Sequence, residues 1–371
     1  MKFRCNSIDF LEALSTATHA LPARTTVPAL ECVLLETDEN DNLRITCSDS
    51  SLTIISKCEA TVEVGGAVLL PGKLLAEISR KMPEGEMTVA NADNGYMTFR
   101  CMGSRTQIAA RPANLYPPVG AMEEGSDADV ITLPQSLLKD MILKTSFAIA
   151  TDEERPILTG CLLDVQGGEA RMVALDGFRM AIRMQRVGDS ASINAVIPGK
   201  ALQEIARILS DDEEETITVT LRAGRMYTRI GSTEIYAILK EGEFINYRQI
   251  TPSDWRTKAE LDSKDLAECV ERASLIAREG KNYLVQLNIS DGYIVITSNS
   301  EIGDVYEELP AEVEGDDLTI AFNVKYLSDA LKALDGRRIV MRFISSANPC
   351  VVVPADSGDS LHLILPVRLR A

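Results

Sequence analysis

One ten-residue segment is written three times along this chain. Pro71-Gly72-Lys73-Leu74-Leu75-Ala76-Glu77-Ile78-Ser79-Arg80 returns as Pro198-Gly199-Lys200-Ala201-Leu202-Gln203-Glu204-Ile205-Ala206-Arg207. It returns again, more diverged, as Asn323-Val324-Lys325-Tyr326-Leu327-Ser328-Asp329-Ala330-Leu331-Lys332. The spacing is roughly a third of the 371 residues, far longer than a solenoid unit of ~20–50 residues and equal to a whole domain. The chain therefore reads as three tandem copies of one fold, at 1–121, 130–250 and 257–371.

Each copy opens on an amphipathic helical pattern, with apolar residues three and four apart behind Ser, Pro or Asp. The first runs through Phe10 and Leu14 with Ser7 as the expected N-cap, the second from Pro134 through Ile142, and the third from Asp262-Ser263 to Leu275. Strand-like runs follow at equivalent places, Leu43–Cys47, Ala170–Ala174 and Tyr293–Thr297, each closed by a polar turn. The repeated segment is then a second helix, and more strands follow it. Helices and strands segregated in this way predict an α+β class, with two helices backed by sheet in every copy. Joints are expected at 116–127 and 251–255, which are rich in Pro or acidic residues and lack periodicity.

Within the repeated helix the charges stay in register: Lys73, Lys200 and Lys325, then Glu77, Glu204 and Asp329, then Arg80, Arg207 and Lys332. Steps of four and three place them on one helix face. Leu75, Leu202 and Leu327 take the buried side, with Ile78, Ile205 and Ala330 and then Met82, Leu209 and Leu334. The face is net basic, although the chain carries 55 acidic against 38 basic residues and a net charge of −17. Local basicity on a globally acidic protein fits contact with a polyanion on one side only. For any one helix taken alone a solvated face held by weak ion pairs is the preferred account, and it is the threefold repetition that makes a lining plausible.

Catalytic signatures are missing. The two histidines, His19 and His362, stand apart from cysteines and paired carboxylates, and no zinc spacing or nucleophile elbow occurs. Pro71-Gly72-Lys73 lacks the remainder of a phosphate loop, and the Asp211–Glu215 acidic run reads as a solvated loop. We expect no catalysis, cofactor or metal. The eight cysteines are scattered and read as core thiols in a reducing cytoplasm. No stretch approaches the ~20 apolar residues of a membrane span, and no signal peptide is expected.

The chain resembles the bacterial sliding clamps, the beta subunits of DNA polymerase III. The resemblance spans the whole chain and rests on Met1-Lys2-Phe3, Arg24–Leu30, Ala174-Leu175-Asp176-Gly177-Phe178-Arg179-Met180-Ala181, Phe322–Leu327 and Leu365-Pro366-Val367-Arg368-Leu369. It implies the DNA clamp fold, with two chains dimerising head to tail into a six-domain ring around duplex DNA. Polymerase, clamp loader and repair proteins would attach through short linear peptides.

The resemblance also implies site residues. The peptide cleft would use Arg155, Leu158, Leu175, Gly177, Phe178, Arg179, Met180, Ile245, Ile250, Tyr326, Pro366, Val367, Arg368 and Leu369. Arg24, Lys73, Arg80, Lys139, Lys200, Arg207, Lys325 and Lys332 would face DNA. Arg105 and Ile108 would meet Leu275 and Ile276 across the dimer, with Arg105 pairing Glu301 or Glu307. Phe178 replaces the histidine of many relatives, Ile245 replaces a proline of some, and Arg370 and Ala371 extend the usual end. From the residues alone, two other readings stay open: a peptide-binding scaffold with no topological hold on DNA, and an enzyme whose site lies where domains meet.

Overall fold

The computed structural model describes residues 1–38, 42–92, 94–119, 127–188, 192–280 and 283–368. These fall into two compact units, one of residues 1–135 with 207–239, the other of 136–206 with 240–371. The division does not follow the repeat, because the first strand of the middle copy and its last three belong to the first copy's sheet.

In the first unit, a nine-stranded sheet runs in the order Arg111–Pro112, Ala67–Pro71, Cys32–Thr37, Asn42–Ser48, Leu52–Glu59, Thr233–Ile238, Arg225–Ile230, Thr216–Arg222, Asp129–Pro134. The strand of the first copy at Leu52–Glu59 pairs antiparallel with Thr233–Ile238 of the middle copy, Thr53 opposite Tyr236. A second, five-stranded sheet ends in the strand Ser104–Ala109. Helices α1 (Ser7–Thr18) and α2 (Gly72–Ser79) pack on each other in this unit, and Phe10 meets Phe99 at 6.2 Å in the core.

The second unit repeats the plan. Its nine-stranded sheet contains Glu169–Leu175 and Arg179–Arg186 of the middle copy, and the latter pairs with Ser360–Ile364 of the third, Met180 opposite Leu363. Its four-stranded sheet ends in Gly303–Pro310. Helices α6 (Ser263–Ala277) and α7 (Val324–Ala333) pack together over a core that includes Leu266, Val270, Phe322, Leu327 and Met341. The middle copy carries the helices α3 (Gln135–Leu143) and α4 (Gly199–Ile208) and the single turn α5 (Tyr247–Ile250).

The helix starts explain much of the repeat. Asn6, not Ser7, caps α1, accepting from the Ile8 amide at 2.8 Å. Ser7 is inside the helix and buried, donating to Pro83 O at 2.9 Å and accepting from the Gly85 amide. The Pro-Gly entry to α2 and α4 is a packing device. A Cβ at Gly72 would stand 3.1 Å from Glu31 O, and one at Gly199 would stand 3.2 Å from Thr159 O, both with aliphatic methyls closer still. The third copy substitutes a capped start, where Asn323 accepts from the Lys325 amide at 2.9 Å. Losing that cap in Asn323→Ala is expected to cost about 1 kcal/mol, read as a lower denaturation midpoint with an unchanged denaturant slope.

Leu75, Leu202 and Leu327 are all buried, as the repeat requires, as are Ile205, Ala330, Leu209 and Leu334. Ile78 and Met82 are only half-buried. All eight cysteines are free and buried, and burial pushes the Cys161 thiol up to about 12. The Asp211–Glu215 run is an exposed loop. Among the described residues no helix is long and apolar enough to cross a membrane.

Candidate functional site

Within the second unit, the hairpin of Glu169–Leu175 and Arg179–Arg186 turns at Asp176-Gly177-Phe178. Gly177 has φ +90°, a left-handed conformation that L side chains rarely adopt. Asp176 Oδ1 accepts from the amides of Phe178 and Arg179 at 2.9 and 3.0 Å, which tightens the turn. Phe178 is thereby held at the tip, 58% exposed, its ring stacked on Tyr326 at 6.0 Å between centroids.

Under the hairpin lies an apolar cluster in which Leu158, Leu175 and Met180 are all buried. Leu158, Leu175 and Met180 cluster with Val173, Ile182 and Leu363, and Ile157, Phe244 and Ile245 are packed against them half-buried. The end of the chain closes one side. The Leu365 amide donates to Phe178 O and the Val367 amide to Ala321 O, both at 2.8 Å, so Pro366 and Val367 lie half-exposed between hairpin tip and sheet. Arg155, Ile250 and Arg368 are exposed. Leu369 lies outside the described residues, as do Arg370 and Ala371. The expected cleft residues thus form one apolar group around Leu158, Leu175, Met180 and Ile245, one aromatic pair of Phe178 and Tyr326, and an exposed rim.

Arg179 departs from the expectation of a peptide contact, because its side chain is buried and its donors are spent internally. Nε donates to Asp176 at 3.0 Å, one terminal nitrogen to Asp329 at 2.6 Å, and the other to Phe147 O at 2.6 Å. The guanidinium also lies over the Tyr326 ring at 4.7 Å. It ties the middle copy to α7 of the third and sets the ring on which Phe178 stacks.

Sequence reasoning passed over Asp164. Its carboxylate is fully buried and accepts from the Tyr247 hydroxyl at 2.6 Å and from Arg248 at 2.7 Å. Burial, then the bond to Asp164, pushes the Tyr247 phenol up to about 12. The bond fastens α5, which carries Ile250, to the strand Gly160–Gln166. The available signal was one acidic residue inside the apolar run Cys161-Leu162-Leu163-Asp164-Val165, a position where an unpaired charge is costly.

The basic residues of the repeated helices do reach solvent: Lys73, Arg80, Lys200, Arg207, Lys325 and Lys332 are exposed, as is Arg24, and Lys139 is half-buried. The acidic member of the pattern does not share that face in every copy. Glu77 is exposed, Glu204 is buried, and Asp329 turns to Arg179. Arg207 also contacts His19 Nδ1 at 3.2 Å.

The residues expected at a subunit contact lie at two open edges, one in each unit. Arg105 is exposed on the strand Ser104–Ala109, but Ile108 is 3% exposed and points into its own unit's core. Leu275 is 61% exposed and Ile276 half-buried on α6. Glu307 accepts from Arg272 of its own chain through both carboxylate oxygens at 2.7 Å.

Comparison with known proteins agrees across the full chain. Family models of the DNA polymerase III beta subunit match residues 1–120 (N-terminal domain), 132–246 (central domain) and 248–368 (C-terminal domain). The beta sliding clamp of Staphylococcus epidermidis strain RP62A is 33% identical, and that of Staphylococcus aureus strain Mu50 31%, each alignment covering 99% of both chains. The crystal structure of the DNA polymerase sliding clamp from Bacillus subtilis superposes with a TM-score of 0.93 at 31% identity over 100% of both chains. A clamp structure from Eubacterium rectale gives 0.93 at 29%, also over 100% of both. With three copies of one fold, sheets that run from copy to copy and basic helix faces, the chain belongs to the DNA polymerase III beta subunit family, the non-catalytic sliding clamps that act as processivity factors in DNA replication.

Proposed function

We propose that two copies of this chain close head to tail into a ring of six repeat units, which encircles duplex DNA and tethers replication and repair proteins through the cleft below Phe178. The observation that carries the ring is the pattern of open strands. Leu52–Glu59 and Arg179–Arg186 are each sealed by the last strand of the following copy. Among the described residues the equivalent strand of the third copy, Gly303–Pro310, has no such partner, and neither does Ser104–Ala109 of the first copy, the edge strand of its five-stranded sheet. Pairing these two across chains would apply the same joint a third time and cover both of these edges. Beside Gly303–Pro310, the exposed Leu275, Ile302 and Tyr306 supply apolar area for the joint.

Domains at 1–121, 130–250 and 257–371 follow from this reading, as does work on the chromosome in the cytoplasm. Arg24, Lys73, Arg80, Lys139, Lys200, Arg207, Lys325 and Lys332 would face DNA. Topology holds the duplex, so weak attraction to phosphates suffices and sliding is not blocked. The cleft fits a short extended peptide: an apolar floor takes side chains, the Phe178–Tyr326 stack takes an aromatic or aliphatic end, and Arg155 and Arg368 stand at the rim.

Retention on DNA tests the proposal. The protein, placed by a clamp loader on nicked circular duplex, is expected to survive a high-salt wash and to be lost when the circle is cut. Leu275→Glu with Ile276→Glu is expected to sediment as a monomer and to fail retention. Equal loss by salt from circular and linear DNA would overturn the ring and favour a peptide-binding scaffold.

A further inference from the structure

The threefold repeat places a counterpart of the cleft inside the first unit, with different chemistry. Strand registers define the equivalence. Leu34 faces Thr46 as Leu162 faces Val173. Ser48 faces Thr53 as Leu175 faces Met180, and Thr53 faces Tyr236 as Met180 faces Leu363. Leu30, Cys32, Leu34, Leu69 and Tyr116 form a small cluster in the manner of Leu158, Leu162, Val196 and Tyr247 in the cleft. Four apolar floor positions of the cleft, Val173, Leu175, Met180 and Leu363, thus become Thr46, Ser48, Thr53 and Tyr236.

The site is hollow. A recess of about 300 Å³ is lined by Leu34, Arg44, Thr46, Ile55 and Tyr116. It adjoins one of about 140 Å³ bounded by Thr53, Arg225 and Tyr236, and the two share the wall Pro117-Pro118-Val119.

Three of its polar groups, on Arg44, Thr46 and Tyr116, lack hydrogen-bond partners. Thr46 is 2% exposed and its hydroxyl has no hydrogen-bond partner, nor does the buried Nε of Arg44. The Tyr116 hydroxyl, in a residue 8% exposed, lies beside the Ser48 amide without a well-formed hydrogen bond. Burial pushes the Tyr116 phenol up, so it stays a neutral donor. Buried donors without partners are rare in native proteins and cost free energy until something accepts from them. A guanidinium, a threonine hydroxyl and a phenol on one recess suit an oxygen acceptor, and a carboxylate best. Glu36, across the strand from Arg44, lines the same recess and offsets part of that attraction. The proline wall and the two joined hollows suit an extended chain rather than a compact ion.

We propose that this recess is a second peptide site, which takes an extended segment bearing a carboxylate side chain. It rests on the cleft reading only through shared backbone geometry, since its polar lining excludes the apolar peptide that the cleft fits.

The test uses the full-length protein and three fluorescein-labelled pentapeptides, Gly-Ala-Glu-Ala-Gly and its Gln and Lys counterparts, followed by fluorescence anisotropy. The Glu peptide is expected to bind saturably and about tenfold more tightly than the other two, the scale of one charge-assisted hydrogen bond. Arg44→Gln and the isosteric Thr46→Val should each weaken it about tenfold with melting curves like the wild type, while Phe178→Ala leaves it unchanged. No saturation up to millimolar protein, equal binding of the three peptides, or binding that survives Arg44→Gln would overturn the proposal. Loss of binding in Phe178→Ala would assign the peptide to the cleft and overturn it as well. Failure of the cleft reading would show separately, as replicase-derived peptides whose binding ignores Phe178→Ala.

Discussion

Arg179→Met is expected to destabilise the second unit by about 3 kcal/mol, the lower end of what breaking a buried ion pair costs. The side chain is 8% exposed and satisfies Asp176, Asp329 and the Phe147 carbonyl at once. Methionine keeps most of the volume but leaves two carboxylates and a carbonyl without their donor. Asp176 and Asp329 keep some access to water, 13% and 24% of their side chains, which holds the cost below the value for a sealed pair. Chemical denaturation measures the loss. The same variant should weaken peptide binding, because Tyr326 loses the cation over its ring and Phe178 loses a fixed stacking partner. A variant with wild-type stability would mean that the three contacts are replaced by water at no cost. Conversely, lost stability with intact peptide binding would detach Arg179 from the cleft.

The second large effect is one of pH. His362 lies in the strand that joins the third copy to the middle one, 1% exposed. Its ring packs on Phe147 at 5.8 Å and its Nε2 contacts the Ser360 hydroxyl at 3.2 Å. Burial, reinforced by the nearby charges of Lys144 and Arg183, lowers its pKa to about 4 from the ordinary 6.5. Above pH 6.5 neither native nor unfolded chain binds the proton, and the stability is fully present. Between 6.5 and 4 the unfolded chain binds it and the native chain does not, so stability falls with pH. Below 4 the loss is complete, at about 3 kcal/mol. Asp359, held down to about 2 by Ser357, Arg183 and Arg337 against the opposing effect of burial, titrates lower and leaves this window clear. Denaturation of the wild type at pH 7 and pH 4.5, beside His362→Gln, should show a decline that the variant lacks. Parallel declines would remove His362 as the cause.

Local signals were legible without the fold. The helix containing Lys73, Lys200 and Lys325 and the burial of Leu75, Leu202 and Leu327 follow from period and spacing, since a helix face is set by residues within two turns. The cleft residues came from the family resemblance, carried in part by the motif around Asp176-Gly177-Phe178, whose turn geometry is local. Where the reading failed, the deciding contact was distant in sequence. Ser7 is a helix residue because Pro83 and Gly85 satisfy its hydroxyl. Ile108 is inward because an alternating strand presents only every second side chain to a neighbour, and the sheet's other face is the core. Arg179 and Asp329 look solvated in sequence and are paired across 150 positions.

By itself, then, the sequence determined the threefold repeat, the helix faces and the family. These rest on periodicity and residue order, which need no third dimension. Tertiary structure alone decided how the copies are joined and what each joint exposes. Strand pairing carries one copy's last strand into the preceding copy's sheet, so compact units cut across the repeat. The same backbone joint places apolar Val173 and Met180 in one unit but hydroxyls without partners at Thr46 and Tyr116 in the other. The physical reason is that hydrogen-bonded backbone fixes the shape of a joint, whereas its chemistry depends on side chains brought together from two copies, a coincidence invisible to any local window.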